Sequence, residues 1–137
     1  MLTISRSVDL AASPQNVWAT LGRFDGLWHP LVATTETTGI GIGQLRRIDT
    51  IDGKVIIERL TGLDEAQRTL TYALVSGVPA SRYEGTIEVQ PKGTGSTVTW
   101  RVKYRPDGQA ELIVHTIVST LLGIGLDSLK ERFGSAP

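Results

Sequence analysis

The chain of 137 residues contains no cysteine. Disulfides, thiolate nucleophiles and cysteine-based metal sites are therefore excluded. Its only two histidines, His29 and His115, are far apart and lack the spacing of a known metal-binding motif. The sequence predicts no metal site and no cofactor.

Excess charge of either sign is also missing, because 14 basic side chains balance 14 acidic ones. A general nucleic-acid binder would carry a basic stripe, so we expect no nucleic-acid partner. Residues 1–10 lack the basic and apolar regions of a signal peptide. The apolar segment 110–133 contains six charged or titratable residues, which are too many for a membrane span. These features favour a cytoplasmic protein without membrane insertion.

What the sequence does have is one long helical segment, residues 110–133, which no proline interrupts. On a helical wheel its apolar residues spread over roughly 220°, about twice the stripe that an ordinary surface helix needs. They are Ile113, Val114, Ile117, Val118, Leu121, Leu122, Leu126 and Leu129. One flank should pack on a sheet, and the rest should serve a partner, a lid or an apolar ligand.

The preceding residues predict a sheet with short helices after its first strand. Residues 2–10 alternate between apolar and polar, as a half-buried strand does. Ser13 and Pro14 are typical of a helix start, which predicts a helix over 14–21. A second short helical segment should hold Phe24, Leu27 and Trp28 and end before Pro30.

Six further strands follow, separated by turns. The alternating patterns cover residues 32–38, 44–51, 54–63, 68–75, 81–90 and 96–104. Asp52-Gly53 between two of them is a strong hairpin signal. Successive hairpins indicate an antiparallel sheet, so the whole chain, 1–137, is predicted to be one α+β domain.

The order of these elements resembles the helix-grip fold of the START and birch-pollen-allergen (SRPBCC) superfamily, most closely its bacterial polyketide cyclase/dehydrase-like branch. The stretches that carry the resemblance span the chain. They are residues 13–18, 28–30, 43–47, 58–60 and 70–72, Tyr83 with Thr86, residues 97–100, and Gly125-Leu126 with Leu129-Lys130. The resemblance implies a seven-stranded antiparallel curved sheet wrapped around the C-terminal helix, with an internal apolar cavity.

Plant abscisic-acid receptors of the same superfamily are similar at Glu58-Arg59-Leu60 and around Tyr83. That weaker resemblance implies that Glu58 and Tyr83 face a ligand, without implying a hormone receptor.

Glu58 is the main candidate for chemistry. The period of two in a strand puts Ile56, Glu58 and Leu60 on one face. If that face lines a cavity, Glu58 could be a general acid or base, or could bind a ligand hydroxyl. A structural salt bridge with an inward arginine, or an outward position after a bulge, are the alternatives. Arg46 and Arg47 point to opposite faces, so one of them could enter the cavity, and a solvated edge position is the alternative for either.

The remaining candidates are aromatic residues, histidines and one residue of the apolar arc. Tyr83 and Trp100 could line a pocket or simply pack in the core. His29 could gate the cavity or cap a loop, and His115 with Glu111 forms an i, i+4 pair that could transfer protons or remain a surface pair. The predicted ligand-binding residues are Trp28, His29, Arg46, Ile56, Glu58, Tyr72, Tyr83, Trp100, His115 and Val118.

Three functions agree with these patterns. The first is the binding of an apolar or amphipathic small molecule. The second is cyclase or dehydratase chemistry with Glu58 or His115 as acid or base. The third is an accessory, co-chaperone-like role in which the apolar arc of the helix serves a protein partner. A homodimer is a further candidate assembly.

Overall fold

The computed structural model describes residues 1–136. The order of elements is one strand, one short helix, six strands and one long helix. Their bounds are β1 Leu2–Leu10, α1 Pro14–Leu21, β2 Val32–Thr38, β3 Leu45–Thr50, β4 Val55–Asp64, β5 Thr69–Ser76, β6 Ala80–Lys92, β7 Gly95–Pro106 and α2 Glu111–Phe133. The seven predicted strands and the long helix are confirmed within a few residues of their expected ends.

All seven strands form one antiparallel sheet in the order β1-β7-β6-β5-β4-β3-β2. Only β1 leaves the sequential order, since it pairs with β7 after the chain has run along the sheet. Register shifts in the β2–β3, β4–β5 and β6–β7 ladders bend the strands. The result is the predicted helix-grip fold, in which a curved open sheet holds the C-terminal helix.

The segment between β1 and β2 begins as predicted. The Ser13 side chain accepts a hydrogen bond from the Asn16 backbone N–H at 3.3 Å, and Pro14 occupies the first turn of α1. The expected second short helix does not form. Residues 24 and 25 make only a turn, and residues 26–29 are irregular. His29-Pro30 and the contacts of Arg46 with this segment hold it in a loop instead.

The inner flank of α2 packs on the sheet, mainly against β1 and β7. Its buried residues are Val114, Val118, Leu122, Gly125, Leu126 and Leu129. By length and composition α2 could cross a membrane. Because its inner flank is part of the hydrophobic core, it is the core helix of a soluble domain.

The outer flank of α2 carries exposed apolar residues. Ile113 of the predicted apolar arc is exposed, and so are its neighbours Leu112 and Ile124 outside that arc. Only Leu121 and Leu122 of this helix reach the cavity described below. The arc is wide because it covers a core face, a cavity face and part of the surface.

Candidate functional site

A cavity of about 80 Å³ lies between α2 and the inner face of the sheet. A water molecule needs on the order of 10–15 Å³ of such space, so the cavity has room for several waters or one small organic molecule. Its wall is mostly apolar. The polar side chains among its lining residues come from the loop between α1 and β2 and from strands β2 to β7.

Eight of the ten predicted ligand-binding residues line this cavity. They are Trp28, His29, Arg46, Ile56, Glu58, Tyr72, Tyr83 and Trp100. Residues outside the predicted ligand-binding set also line it: Leu21, Arg23, Gly26, Val32, Thr35, Ile48, Thr50, Leu70, Val78, Ile87, Leu121 and Leu122. Of these, Thr35 and Ile48 share the inward parity of their strands, which could have identified them.

Two predicted residues lie elsewhere. Val118 is fully buried in the core and does not line the cavity, because its position on α2 points it at the sheet. His115 is exposed and lies in a separate, open depression with Glu111, Tyr104 and Leu2. The prediction that it faces the cavity is wrong, since the helix turns it toward β1. His115 therefore cannot act together with Glu58.

Arg46 and Glu58 form the charged centre of the cavity wall. They are direct partners across the β3–β4 ladder, which brings both side chains to the inner face. Arg46 Nε and Nη2 donate to Glu58 Oε1 at 3.1 and 2.5 Å. Arg47 points outward and pairs with Asp49 instead. Of the two arginines, Arg46 is therefore the one that faces the cavity. Glu58 faces the cavity and also forms a salt bridge, so two of the predicted alternatives hold together.

Arg46 is held by two further contacts. Its Nη1 donates to the Phe24 carbonyl at 3.1 Å, and its guanidinium carbon lies 4.1 Å from the centre of the Phe24 ring. These contacts tie the loop after α1 to β3 and fix the guanidinium in one position. The arginine is therefore a supporting group that orients Glu58.

One oxygen of Glu58 has no hydrogen-bond partner among residues 1–136. Both bonds from Arg46 end on Oε1, and no described residue donates to Oε2. In the described part of the chain, every fully buried side-chain nitrogen or oxygen has a partner, so Oε2 must touch open space. Since Glu58 is only 6% exposed and lines the cavity, that space is the cavity.

Two tyrosine hydroxyls add donors to the same wall. Trp100 Nε1 donates to the Tyr72 hydroxyl at 3.0 Å, which leaves the phenolic proton of Tyr72 free to be donated. The Tyr83 hydroxyl makes no hydrogen bond within residues 1–136. Burial raises the pKa of both tyrosines, and the charge of Glu58 raises them further. Both hydroxyls stay protonated at neutral pH and can act as donors.

His29 fastens the loop before β2 to the middle of α2. Its Nε2 donates to the Leu121 carbonyl at 2.7 Å, and its Nδ1 accepts from the Leu31 N–H at 3.1 Å. With one nitrogen donating and one accepting, the ring is neutral. These two hydrogen bonds form a structural latch between the loop and α2 at the cavity wall, and they leave His29 no free nitrogen for proton transfer in this state.

The latch should make stability depend on pH. Burial lowers the pKa of His29, so the unfolded chain takes up a proton at a higher pH than the folded one. The stabilisation is then complete above the unfolded pKa of about 6.5 and is lost as the pH falls toward the lowered folded pKa. We expect the free energy of unfolding, measured with urea at a series of pH values, to fall from pH 7 downward.

A His29→Gln protein should lose the part of this slope that lies just below neutrality. His115→Gln is the matched control, because His115 is the only other histidine and is exposed. An unchanged slope in the His29→Gln protein would show that His29 is not the titrating group.

Comparison with known proteins agrees with this geometry. The family described as polyketide cyclase/dehydrase and lipid transport matches residues 1–134. Among solved structures, the protein XoxI from Bacillus cereus is 27% identical with a TM-score of 0.90, over 97% of this chain and 96% of that one. A protein from Thermobifida fusca is also 27% identical, with a TM-score of 0.87 over 98% and 94% of the two chains.

A more distant structure shows the same fold with ligands. Norcoclaurine synthase from Thalictrum flavum, solved with dopamine and hydroxybenzaldehyde, is 19% identical with a TM-score of 0.76, over 96% of this chain and 85% of that one. At this identity the likeness concerns the fold alone. No curated protein matches the sequence significantly. From residue 1 to residue 134, this chain belongs to the polyketide cyclase/dehydrase and lipid transport family.

Proposed function

We propose that the protein binds a small, mainly apolar molecule that donates a hydrogen bond to Glu58 Oε2. The observation that carries the proposal is that this carboxylate oxygen has no protein partner while it touches an apolar cavity. A ligand hydroxyl that donates to this carboxylate oxygen makes a charge-assisted hydrogen bond, which is stronger than one between neutral groups. Apolar walls with a few placed polar groups are typical of ligand sites.

The charges of the wall restrict the ligand further. Arg46 and Glu58 neutralise each other, so the pair favours a neutral ligand. A ligand carboxylate would meet Glu58 and would have to displace it from Arg46. The hydroxyls of Tyr72 and Tyr83 can donate to a second oxygen of the ligand. A neutral, hydroxyl-bearing aromatic or alicyclic molecule meets these conditions.

Three probes of similar size test this reading. Phenol has the required hydroxyl, toluene lacks it, and benzoate replaces it with a negative charge. In titrations followed by two-dimensional NMR, phenol should bind most tightly and shift the indole signals of Trp28 and Trp100. Toluene cannot make the hydrogen bond to the charged Glu58. We therefore expect it to bind at least roughly tenfold more weakly than phenol.

A cavity-filling variant provides the control. Ile48 lines the cavity, and Ile48→Phe adds volume there while remaining apolar. It should abolish phenol binding without changing the signals of β1 or the far end of α2. Equal binding of all three probes, or binding that survives Ile48→Phe, would contradict the proposal. Native mass spectrometry of the protein purified from its own host would then identify a natural ligand by mass.

Acid–base catalysis is a second candidate, favoured by the same free oxygen. Glu58 Oε2 could take a proton from a bound substrate while Arg46 keeps the carboxylate in place. The Glu58→Gln protein separates the two functions once a ligand is known. Retained binding with lost turnover supports an enzyme, while turnover equal to that of the wild type rules out this role for Glu58.

Location and assembly are proposals of their own. A cytoplasmic location agrees with the soluble fold and is tested by fractionating cells that express the natural gene. A homodimer could use the exposed outer flank of α2, where Leu112 and Ile113 lie. Analytical ultracentrifugation over a range of concentrations would detect it, and monomers throughout would dismiss it.

A further inference from the structure

The loop between β2 and β3, residues 39–43, carries the most exposed apolar side chain of the described chain. It reads Gly-Ile-Gly-Ile-Gly. Ile40 is 95% exposed and Ile42 is 61% exposed. Exposed single apolar residues are ordinary, but two isoleucines on one five-residue tip, without any polar side chain between them, are not explained by the cavity or the core.

The backbone of this loop makes it project. Gly39, Gly41 and Gly43 all have positive φ angles, of 91°, 67° and 96°, which favour glycine. No protein atom lies within 4 Å of the place where a side chain would start at Gly41 or Gly43. Together with the exposure of Ile40 and Ile42, this shows that the tip of the loop is surrounded by open space.

The base of the loop is held firmly. The Gly43 N–H donates to the Leu60 carbonyl at 2.8 Å, and Arg59 Nη1 donates to the Gly43 carbonyl at 3.2 Å. The Gln44 side chain donates to the Gly41 carbonyl at 3.1 Å. The tip is thus presented by an ordered base, which lowers the entropy that must be lost when it binds something.

The charge around the tip selects one kind of partner. Residues 37–48 contain no carboxylate, while Arg59 at the base is exposed and has no ion pair in residues 1–136. Two apolar side chains above an exposed cation match an anionic lipid surface, where the apolar groups enter below the headgroups and the cation meets phosphate. A stable protein interface needs many more residues than this tip offers.

From this arrangement we infer that the β2–β3 loop docks the protein reversibly on anionic lipid membranes, through Ile40 and Ile42 with Arg59 beside them. The contact is interfacial, and no segment spans the bilayer. It does not depend on what the cavity binds. Because Arg46 follows the loop by three residues, docking would bring the Arg46–Glu58 end of the cavity close to the lipid.

Vesicle sedimentation tests the inference. The full chain is mixed with phosphatidylcholine vesicles, with and without phosphatidylglycerol, at low and high salt. We expect binding to the vesicles that contain phosphatidylglycerol, weakened by salt. The double variant Ile40→Ser/Ile42→Ser should lower the partition coefficient by at least about tenfold, because both apolar side chains lose their burial in lipid.

The chain offers a matched control in Ile51. Its exposed fraction of 64% is similar to that of Ile42, which is 61%. Ile51 lies in the turn between β3 and β4, at the opposite end of β3 from the β2–β3 loop. Ile51→Ser should bind vesicles as the wild type does. Arg59→Gln should weaken binding only when phosphatidylglycerol is present. The thermal midpoints of the isoleucine variants should match that of the wild type, since each changes exposed side chains only.

The inference is overturned if the wild type does not sediment with either vesicle, or if Ile51→Ser reduces binding as much as the double variant. It is also overturned if the double variant changes the oligomeric state in gel filtration and leaves vesicle binding unchanged. In that case the tip would contact a second copy of the chain.

Discussion

Replacing Arg46 with methionine should lower the free energy of unfolding by about 3 kcal/mol, because it leaves the Glu58 charge buried without its partner. The side chains of Arg46 and Glu58 are only 15% and 8% exposed. The Phe24 carbonyl also loses its donor. Urea unfolding followed by tryptophan fluorescence measures the change. If the slope of the unfolding free energy against urea concentration is unchanged, both proteins undergo the same unfolding transition.

Arg47→Met is the control for this prediction. Arg47 is the next residue on the same strand and also forms a salt bridge, with Asp49, but on the outer face where both side chains are well exposed. Exposed pairs contribute about 0–1 kcal/mol, so this variant should lie close to the wild type. Equal losses for Arg46→Met and Arg47→Met would mean that the inner pair is not desolvated.

The double variant Arg46→Met/Glu58→Leu then separates the pair from its surroundings. With both charges removed, most of the loss should be recovered, since apolar replacements of a buried pair are often neutral. The same protein should bind phenol more weakly, because it lacks the acceptor oxygen. If stability is recovered and phenol binding is kept, Glu58 is a structural residue and the proposed ligand contact is wrong.

Gly125→Ala should have the second large effect. An added methyl group at position 125 would lie 2.7 Å from the His29 ring and 2.8 Å from the Trp100 ring. Real side-chain carbons do not approach so closely, so the loop or the indole must move and the bond from His29 to Leu121 is stretched. We expect a loss of about 2 kcal/mol or more in unfolding free energy, even though alanine favours a helix.

Gly123→Ala should change stability in the opposite direction. Gly123 lies in the same helix, but nothing is within 4 Å of the added methyl group. The higher helix propensity of alanine should then raise the free energy of unfolding by up to about 1 kcal/mol. Opposite signs for these two glycines would establish that Gly125 is needed for the close approach of the latch. A stabilising Gly125→Ala would contradict the packing described here.

The positions of the strands and of the long helix could be predicted from the sequence because they depend on local periodicity. Alternation identified the apolar face of β1, β5, β6 and β7, and Ser13-Pro14 located the start of α1. The period of two was enough to place Ile56, Glu58 and Leu60 on a common face. These predictions need only the period of a strand and the direction of its side chains.

The failures occurred where position depends on distant parts of the chain. His115 lies on α2 near cavity residues in sequence, but the rotation of the helix on the sheet directs it to β1. The loop at residues 24–29 resembled a helix locally, yet Arg46 and Leu121 hold it in an irregular form. No local pattern contains those contacts.

The sequence by itself determined the α+β class, the seven strands, the apolar character of α2 and the family resemblance, because each rests on neighbouring residues or on their order. Only the tertiary structure decided that Arg46 and not Arg47 meets Glu58, since parity cannot say which face of an edge hairpin turns inward. The tertiary structure also determines that the His29 ring packs closely against Gly125, while Gly123 faces open space. Both outcomes depend on how α2 is rotated and seated in the sheet, which is set by packing between residues far apart in the chain.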